Sequence, residues 1–340
     1  MVRQIFLQLS LLPIFLTPLF SQLNTVVQAD PKCVFEVVYT EITRVDPNSP
    51  ERQPHNLVLY DLQNNVSTKL TNDKFVNDHS TFLPDGNHIL FLSDKAVSPY
   101  KRLVYGDLVP SKVYEYDAHL AHVSEFDVAA SNQVPAPDMI YWMPFQHALL
   151  ICDRLGRLFS FSPSSHTTSL LSDLGQEVCL YSVIPSARKS LIALEYSTLT
   201  NSPQFYIALF NTETKQSNIL RTDKRAVSVL DWTPDQNKLL IKDSLVALYD
   251  IKSKKSQYLL IPGEGKTLLV SYAKYLSEDV VLLLAGQIKH YSDPQFKHLT
   301  YSDTAQLFKF SLSDRRLTQL TNDGVDKWQL SVRFRENVQR

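Results

Sequence analysis

The residues able to do chemistry are scattered along the chain, and each small grouping has a plain structural reading beside it. His119 and His122 stand three apart. On a helix they could share a metal ion, whereas the strand period of two turns them to opposite faces. A solvated loop is the expectation, because no His, Asp or Glu completes a ligand set at matching spacing. Pro262-Gly263-Glu264-Gly265-Lys266-Thr267 resembles the end of a phosphate loop, yet the motif's first glycine would fall at Leu260. With no βαβ unit around it, this segment reads as a turn between two β units. The Gly-x-Ser-x-Gly elbow of a serine hydrolase is absent. Asp61, Asp117 and Asp250 each follow a tyrosine. A carboxylate repeated in this way could line a cation site, but it more often caps a turn. These groupings point to no catalytic residue, metal ligand or cofactor.

Two stretches mix aromatic rings with cations: Tyr100-Lys101-Arg102 with Tyr105, and Lys289-His290-Tyr291 with Phe296-Lys297-His298 and Tyr301. Tyr and Arg are enriched where binding energy concentrates. Their meaning depends on the elements that carry them.

The 340 residues are 44% hydrophobic and 20% charged, enough apolar surface for a full core. A formal charge of -1 provides no broad basic field, so nucleic acid is not an expected partner. With 17 Phe and 16 Tyr against 8 Gly, the composition favours strands. The N-terminus reads as an address. Arg3 precedes an apolar run from Ile5 to Phe20, interrupted by Pro13 and Pro18, and Val27-Gln28-Ala29 suits signal peptidase. The run is shorter than the ~20 residues of a membrane span. The expectation is a signal peptide over 1–29 and a mature domain over 30–340, exported to a periplasm or outside the cell as a monomer with no stable membrane span. Cys33, Cys152 and Cys179 allow at most one disulfide and read as small buried hydrophobes in strands. Asn65-Val66-Ser67 is a glycosylation sequon for a eukaryotic secretory route.

The body repeats. Leu59-Tyr60-Asp61-Leu62, Lys69-Leu70-Thr71-Asn72-Asp73, Phe82-Leu83-Pro84-Asp85-Gly86 and Ile89-Leu90-Phe91-Leu92-Ser93 alternate apolar and polar residues between turn signals. Trp232-Thr233-Pro234-Asp235 followed by Leu239-Leu240-Ile241 repeats part of this order, and Gln319-Leu320-Thr321-Asn322-Asp323 repeats another part. Weaker copies surround Pro144, Pro185 and Leu276. Spacings near ~40–50 residues are those of four-stranded propeller blades.

This repeat resembles that of the TolB-type propeller family, which reads roughly Tyr-x-x-Asp-Leu, Leu-Thr, an Asp, then Trp-Ser-Pro-Asp-Gly and an Ile-x-Phe-x-Ser strand. Tyr60 to Ser93 carries almost all of it, and the segments at Trp232 and Leu307 carry much. The resemblance implies an all-β, six-bladed β-propeller of four-stranded blades. Asp326 to Phe334 would supply the inner strand of a first blade otherwise built from Val34–Arg44, Asn56–Leu62 and Ser67–Thr71, closing the ring. Asp78 and Asp326 are expected just ahead of inner strands, with Asp231 three residues closer, all candidates to face the channel. The family's propeller binds a peptidoglycan-associated lipoprotein, while the separate α/β domain of its named member has no counterpart between Asp30 and Lys32.

Long connections between second and third strands are expected at Val45 to His55, Asp94 to Lys112 and Gly286 to Thr304, against ~2–5 residues for ordinary hairpins. They would sit side by side on one face of blades six, one and two. The expected role is an interaction scaffold that binds a protein, peptide or glycan there through Tyr100, Lys101, Arg102, Tyr105, His290, Tyr291, Phe296, His298 and Tyr301. The alternative is a polysaccharide lyase or hydrolase with dispersed residues, drawing on His290, His298, Tyr291 and Arg102.

Overall fold

Short apolar runs bounded by turn residues make strands, and every regular element described is one. A computed structural model describes residues 34–43, 53–95, 112–128, 137–153, 156–175, 177–200, 202–291, 299–302 and 304–335. Among these, 34, 35, 289–291, 299–302, 334 and 335 are described by their backbone alone.

Strands β1 (Val34–Ile42), β2 (His55–Asp61) and β3 (Val66–Lys69) belong to blade 1. Blade 2 holds β4 (Asn77–Phe82), β5 (His88–Ser93), β6 (Lys112–Asp117) and β7 (His122–Glu125). Blade 3 holds β8 (Pro137–Met143), β9 (Ala148–Asp153), β10 (Arg157–Ser162) and β11 (Thr167–Asp173). Blade 4 holds β12 (Val178–Pro185), β13 (Leu191–Thr198), β14 (Phe205–Asn211) and β15 (Gln216–Asp223). Blade 5 holds β16 (Ser228–Trp232), β17 (Lys238–Asp243), β18 (Leu245–Asp250) and β19 (Lys255–Tyr258). Blade 6 holds β20 (Leu268–Tyr275), β21 (Val280–Tyr291), β22 (Leu299–Ser302), β23 (Gln306–Ser311) and β24 (Leu317–Gln319). The last strand, β25 (Asp326–Arg335), pairs antiparallel with β1 and becomes the inner strand of blade 1.

The ring closes as the sequence implies. Inner strands touch in the order β25, β4, β8, β12, β16, β20 and back to β25. Six buried clusters occupy the six junctions between neighbouring blades. Second strands are squeezed on both faces: all six positions of β9 are buried, which is why such strands read as continuous apolar runs. On β1, Val37 and Tyr39 pack toward blade 6 while Val38 packs toward blade 2.

The recurring motifs prove to be local hydrogen-bond devices. Asp61 Oδ1 accepts the N–H groups of Gln63 and Asn64 at 2.8 and 3.1 Å, and Asp117 Oδ1 those of His119 and Leu120 at 2.8 and 3.2 Å. Asp250 Oδ1 accepts Ser253 N–H at 2.7 Å. All three are turn caps at the ends of third strands. His119 lies in such a turn and His122 opens β7, so the two share no helix face. Thr71 Oγ1 accepts Leu57 N–H at 2.9 Å and donates to Asn56 Oδ1 at 3.3 Å. Thr321 Oγ1 does the same in blade 6, accepting Leu307 N–H at 3.0 Å and donating to Gln306 Oε1 at 3.1 Å. The aspartate of each motif then reaches the next inner strand: Asp73 accepts Asn77 Nδ2 at 2.8 Å, and Asp323 accepts Lys327 Nζ at 2.5 Å.

Several expectations change. Asp78 and Asp326 lie on inner strands β4 and β25, not ahead of them. Residues 286–304 are not one loop, because β21 runs on to Tyr291 and pairs with β22 as a two-stranded ribbon. Cys152 is buried on β9, but Cys179 on β12 is only half-buried; both are free thiols, and Cys33 lies outside the described residues. Residues 263–266 form the turn between blades 5 and 6. The signal segment 1–29 also lies outside the described residues.

Candidate functional site

Each inner strand enters the ring at the mouth where blades connect and leaves at the mouth of the first-to-second-strand turns. Every one carries a bulge against its second strand, which twists it and re-aims its side chains. Beyond the bulges, one channel-facing level is made by Thr81, Tyr141, Ile184, Asp231, Lys274 and Ser331, one residue from each blade.

Several of these side chains also stitch blades together. Thr81 Oγ1 accepts Trp142 N–H at 3.1 Å, and Asp231 Oδ2 accepts Tyr275 N–H at 2.9 Å. Trp232 Nε1 donates to Ile184 O at 2.8 Å, which accounts for the tryptophan of the Trp-Thr-Pro-Asp motif. Lys274 Nζ reaches Asp231 Oδ1 at 3.4 Å across the junction of blades 5 and 6.

Tyr141 of blade 3 and Tyr272 of blade 6 come from opposite sides of the ring, and their phenols lie near enough for each to act on the other's proton. Burial pushes the Tyr272 phenol up to about 12 and holds Tyr141 well above its ordinary value. Both therefore stay protonated at neutral pH and remain hydrogen-bond donors. Between this pair and the turns lies a cavity of about 640 Å³. Its rim is formed by Trp142, Pro144, Pro185 and Pro234, with Arg188 and Glu278 exposed at the edge. The arrangement is a well with an apolar collar and a polar floor, within the volume range of ligand pockets.

At the opposite mouth, His55 Nδ1 stands 4.0 Å from Asp78 Oδ2. Trp328, exposed, has its ring centroid 6.2 Å from that of His55. Burial raises the Asp78 carboxyl; His79 and His55 oppose the rise, and Asp138 and Asp94 add to it. His79 and Gln329 both adopt positive φ, 48° and 55°, and His79 N–H donates to Gln329 Oε1 at 2.5 Å. Non-glycine residues in this region store backbone strain. Among the described residues no three His, Cys, Asp or Glu side chains gather where they could hold a metal ion.

The described ends of the second and third strands of blades 6, 1 and 2 open on this second mouth's side. Blades 6, 1 and 2 are consecutive in the ring. Tyr100, Lys101, Arg102, Tyr105, Phe296 and His298 lie outside the described residues. For His290, Tyr291 and Tyr301 the backbone alone is described: His290 pairs with Thr300, Tyr291 with Leu299, and Tyr301 with Lys289. The well is on the other face and was not expected. Its sequence signals are Asp231, expected to face the channel, and the tryptophan and proline series at the ends of the inner strands.

No family model matches the chain, and no curated protein matches it. Solved structures do. TolB from Acinetobacter baumannii superposes with a TM-score of 0.55 at 12% identity, covering 87% of this chain and 66% of that one. This chain thus spans about two thirds of that protein's length. An oligogalacturonate lyase in complex with manganese gives 0.50 at 9% identity, covering 85% and 88%. A second oligogalacturonate lyase, from Vibrio parahaemolyticus, gives 0.49 at 8%. Among the described residues no helix is long and apolar enough to cross a membrane. At these identities the likeness is one of architecture, and the chain has a six-bladed β-propeller fold of the TolB type.

Proposed function

We propose that this chain is an exported interaction propeller that receives a segment of a partner protein or peptide in the well at the turn mouth. The observation that carries the reading is the well itself, about 640 Å³ and built by all six inner strands. Aromatic and proline side chains at its rim suit an extended backbone, and polar groups beneath fix orientation. A second contact is assigned to the aromatic and cationic segments at 100–105 and 289–301, on their residue types alone. Export rests on the Arg3 to Ala29 segment of the sequence.

Affinity capture from native extract with residues 30–340 tests this when run beside Trp142→Ala and a deletion of 289–301. Loss of the partner with Trp142→Ala supports the well. Loss only with the deletion moves the contact to the ribbon face, and retention of nothing by a folded bait sinks the scaffold reading.

One observation favours a second reading, a polysaccharide lyase or hydrolase with dispersed residues. His55 and Asp78 come from different blades and meet beside an exposed tryptophan, as acid–base chemistry on a stacked sugar requires. Incubation with neutral and acidic polysaccharides would then release new sugar ends, and Asp78→Asn would abolish the release.

A further inference from the structure

The floor of the well has hydrogen-bond donors left over, while its one carboxylate is already engaged. Lys274 Nζ carries three N–H groups and meets Asp231 Oδ1 at the long distance of 3.4 Å. The other oxygen of Asp231 accepts Tyr275 N–H at 2.9 Å. Thr81 Oγ1 already accepts Trp142 N–H at 3.1 Å, which leaves its own proton to donate. Tyr141, which also lines the cavity, carries a phenol that can donate. Arg188 and Glu278 oppose one another in charge at the rim, so preference for a charged guest is set at the floor.

The shape adds a second constraint. Tyr141 and Tyr272 reach toward one another from opposite blades below the cavity, which narrows the way for anything entering from the turn mouth. An internal stretch of chain would have to enter, reverse and leave through the same collar, whereas a chain end only has to enter. Of the two ends, an α-ammonium would meet Lys274 and find Asp231 engaged. An α-carboxylate would meet the Lys274 ammonium in a cavity whose lining also includes the Thr81 hydroxyl and the Tyr141 phenol, and charge-assisted hydrogen bonds to an ammonium are the strong ones.

Building on the reading of the well as a peptide site, we infer that it recognises the free C-terminal carboxylate of a polypeptide. The last residues lie along Trp142 and the rim prolines, with the carboxylate on Lys274. The partner class is therefore a protein with an accessible, unstructured C-terminus whose final side chains are apolar.

The test is a library of random decapeptides fixed through their N-termini and made in two forms, free carboxylate and C-terminal amide. The whole chain is used as the probe, with Lys274→Met and Lys274→Arg beside it. Binders are expected from the free-carboxylate form. They should weaken about tenfold or more on amidation and with Lys274→Met, and recover most of that loss with Lys274→Arg. The amidation arm uses the unaltered protein, so it stands even if a variant folds poorly. Binders of equal affinity in both forms would overturn the carboxylate inference and leave the well as a site for internal segments. An absence of binders in either form would overturn both readings.

Discussion

Glu195 is a carboxyl group buried where two blades meet. It lies on β13 with 3% of its surface exposed, and its Oε2 accepts Val229 N–H of blade 5 at 3.2 Å. Burial pushes its pKa up to about 7, against the pull of Val229 N–H and the Ser228 hydroxyl. The folded state therefore holds this proton more tightly than the unfolded chain between the ordinary carboxylate range and about pH 7. Stability contributed by this site is highest in acid, falls as pH rises through that window, and is level above it. Glu195→Gln keeps an acceptor for Val229 N–H and removes the titration. In urea titrations at about pH 5 and about pH 8, the variant should gain on the unaltered protein at the higher pH by up to about 3 kcal/mol. An equal difference at both pH values would show that the carboxyl titrates normally. Residues of this kind escape sequence reading: Glu195 sits in an apolar strand, and its partner is 34 positions away on another blade. The same holds for Tyr141 and Lys274, which line one cavity from two blades on opposite sides of the ring. The turn-capping aspartates are legible because cap and capped N–H groups are two or three residues apart.

At the scale of elements, the Leu-Thr-Asn-Asp quartets show why a motif can recur 250 residues apart without a shared ligand. Each threonine ends an outer strand, turns back to a buried N–H of the third strand, and hands its proton to the Asn or Gln beside it. Replacing Thr71 with Val keeps the shape but strands Leu57 N–H, and Thr321→Val strands Leu307 N–H. Each should cost about 1–3 kcal/mol in chemical denaturation, the range for a buried donor left unpaired. Similar costs at the two sites are expected from the shared geometry; a cost at one site alone would break the equivalence. Strands and blades were legible because alternation and turn residues are local signals. The ribbon of blade 6 was not, since continuing a strand past the blade's edge uses the same residue types as leaving it. Its consequence is that 289–291 and 299–302 are held in strand register, not left to a loop.

The whole molecule depends on a strand that arrives last. β25 pairs with β1 from Val34↔Arg335 to Ile42↔Asp326, and its neighbours in the ring are β20 and β4. Lys327, 2% exposed, anchors the join: its Nζ donates to Asp323 Oδ1 at 2.5 Å and Val325 O at 3.0 Å, and lies 5.5 Å from the centre of the Tyr39 ring. Without β25, blade 1 has three strands, β1 exposes an unpaired edge toward the channel, and the clusters with blades 6 and 2 lose part of their cover. Such closure was legible in the sequence because each end of the chain reads as an incomplete blade that the other completes. Deleting residues 326–340 should therefore abolish cooperative thermal unfolding of the whole ring, not merely lower its midpoint, and give aggregates on size exclusion. A synthetic peptide of residues 326–340 added during refolding should restore a monomeric, cooperatively unfolding species by supplying the missing strand in trans. If the truncated chain unfolds cooperatively as a monomer without the peptide, closure through β25 contributes little, and the ring is held by the packing between its blades.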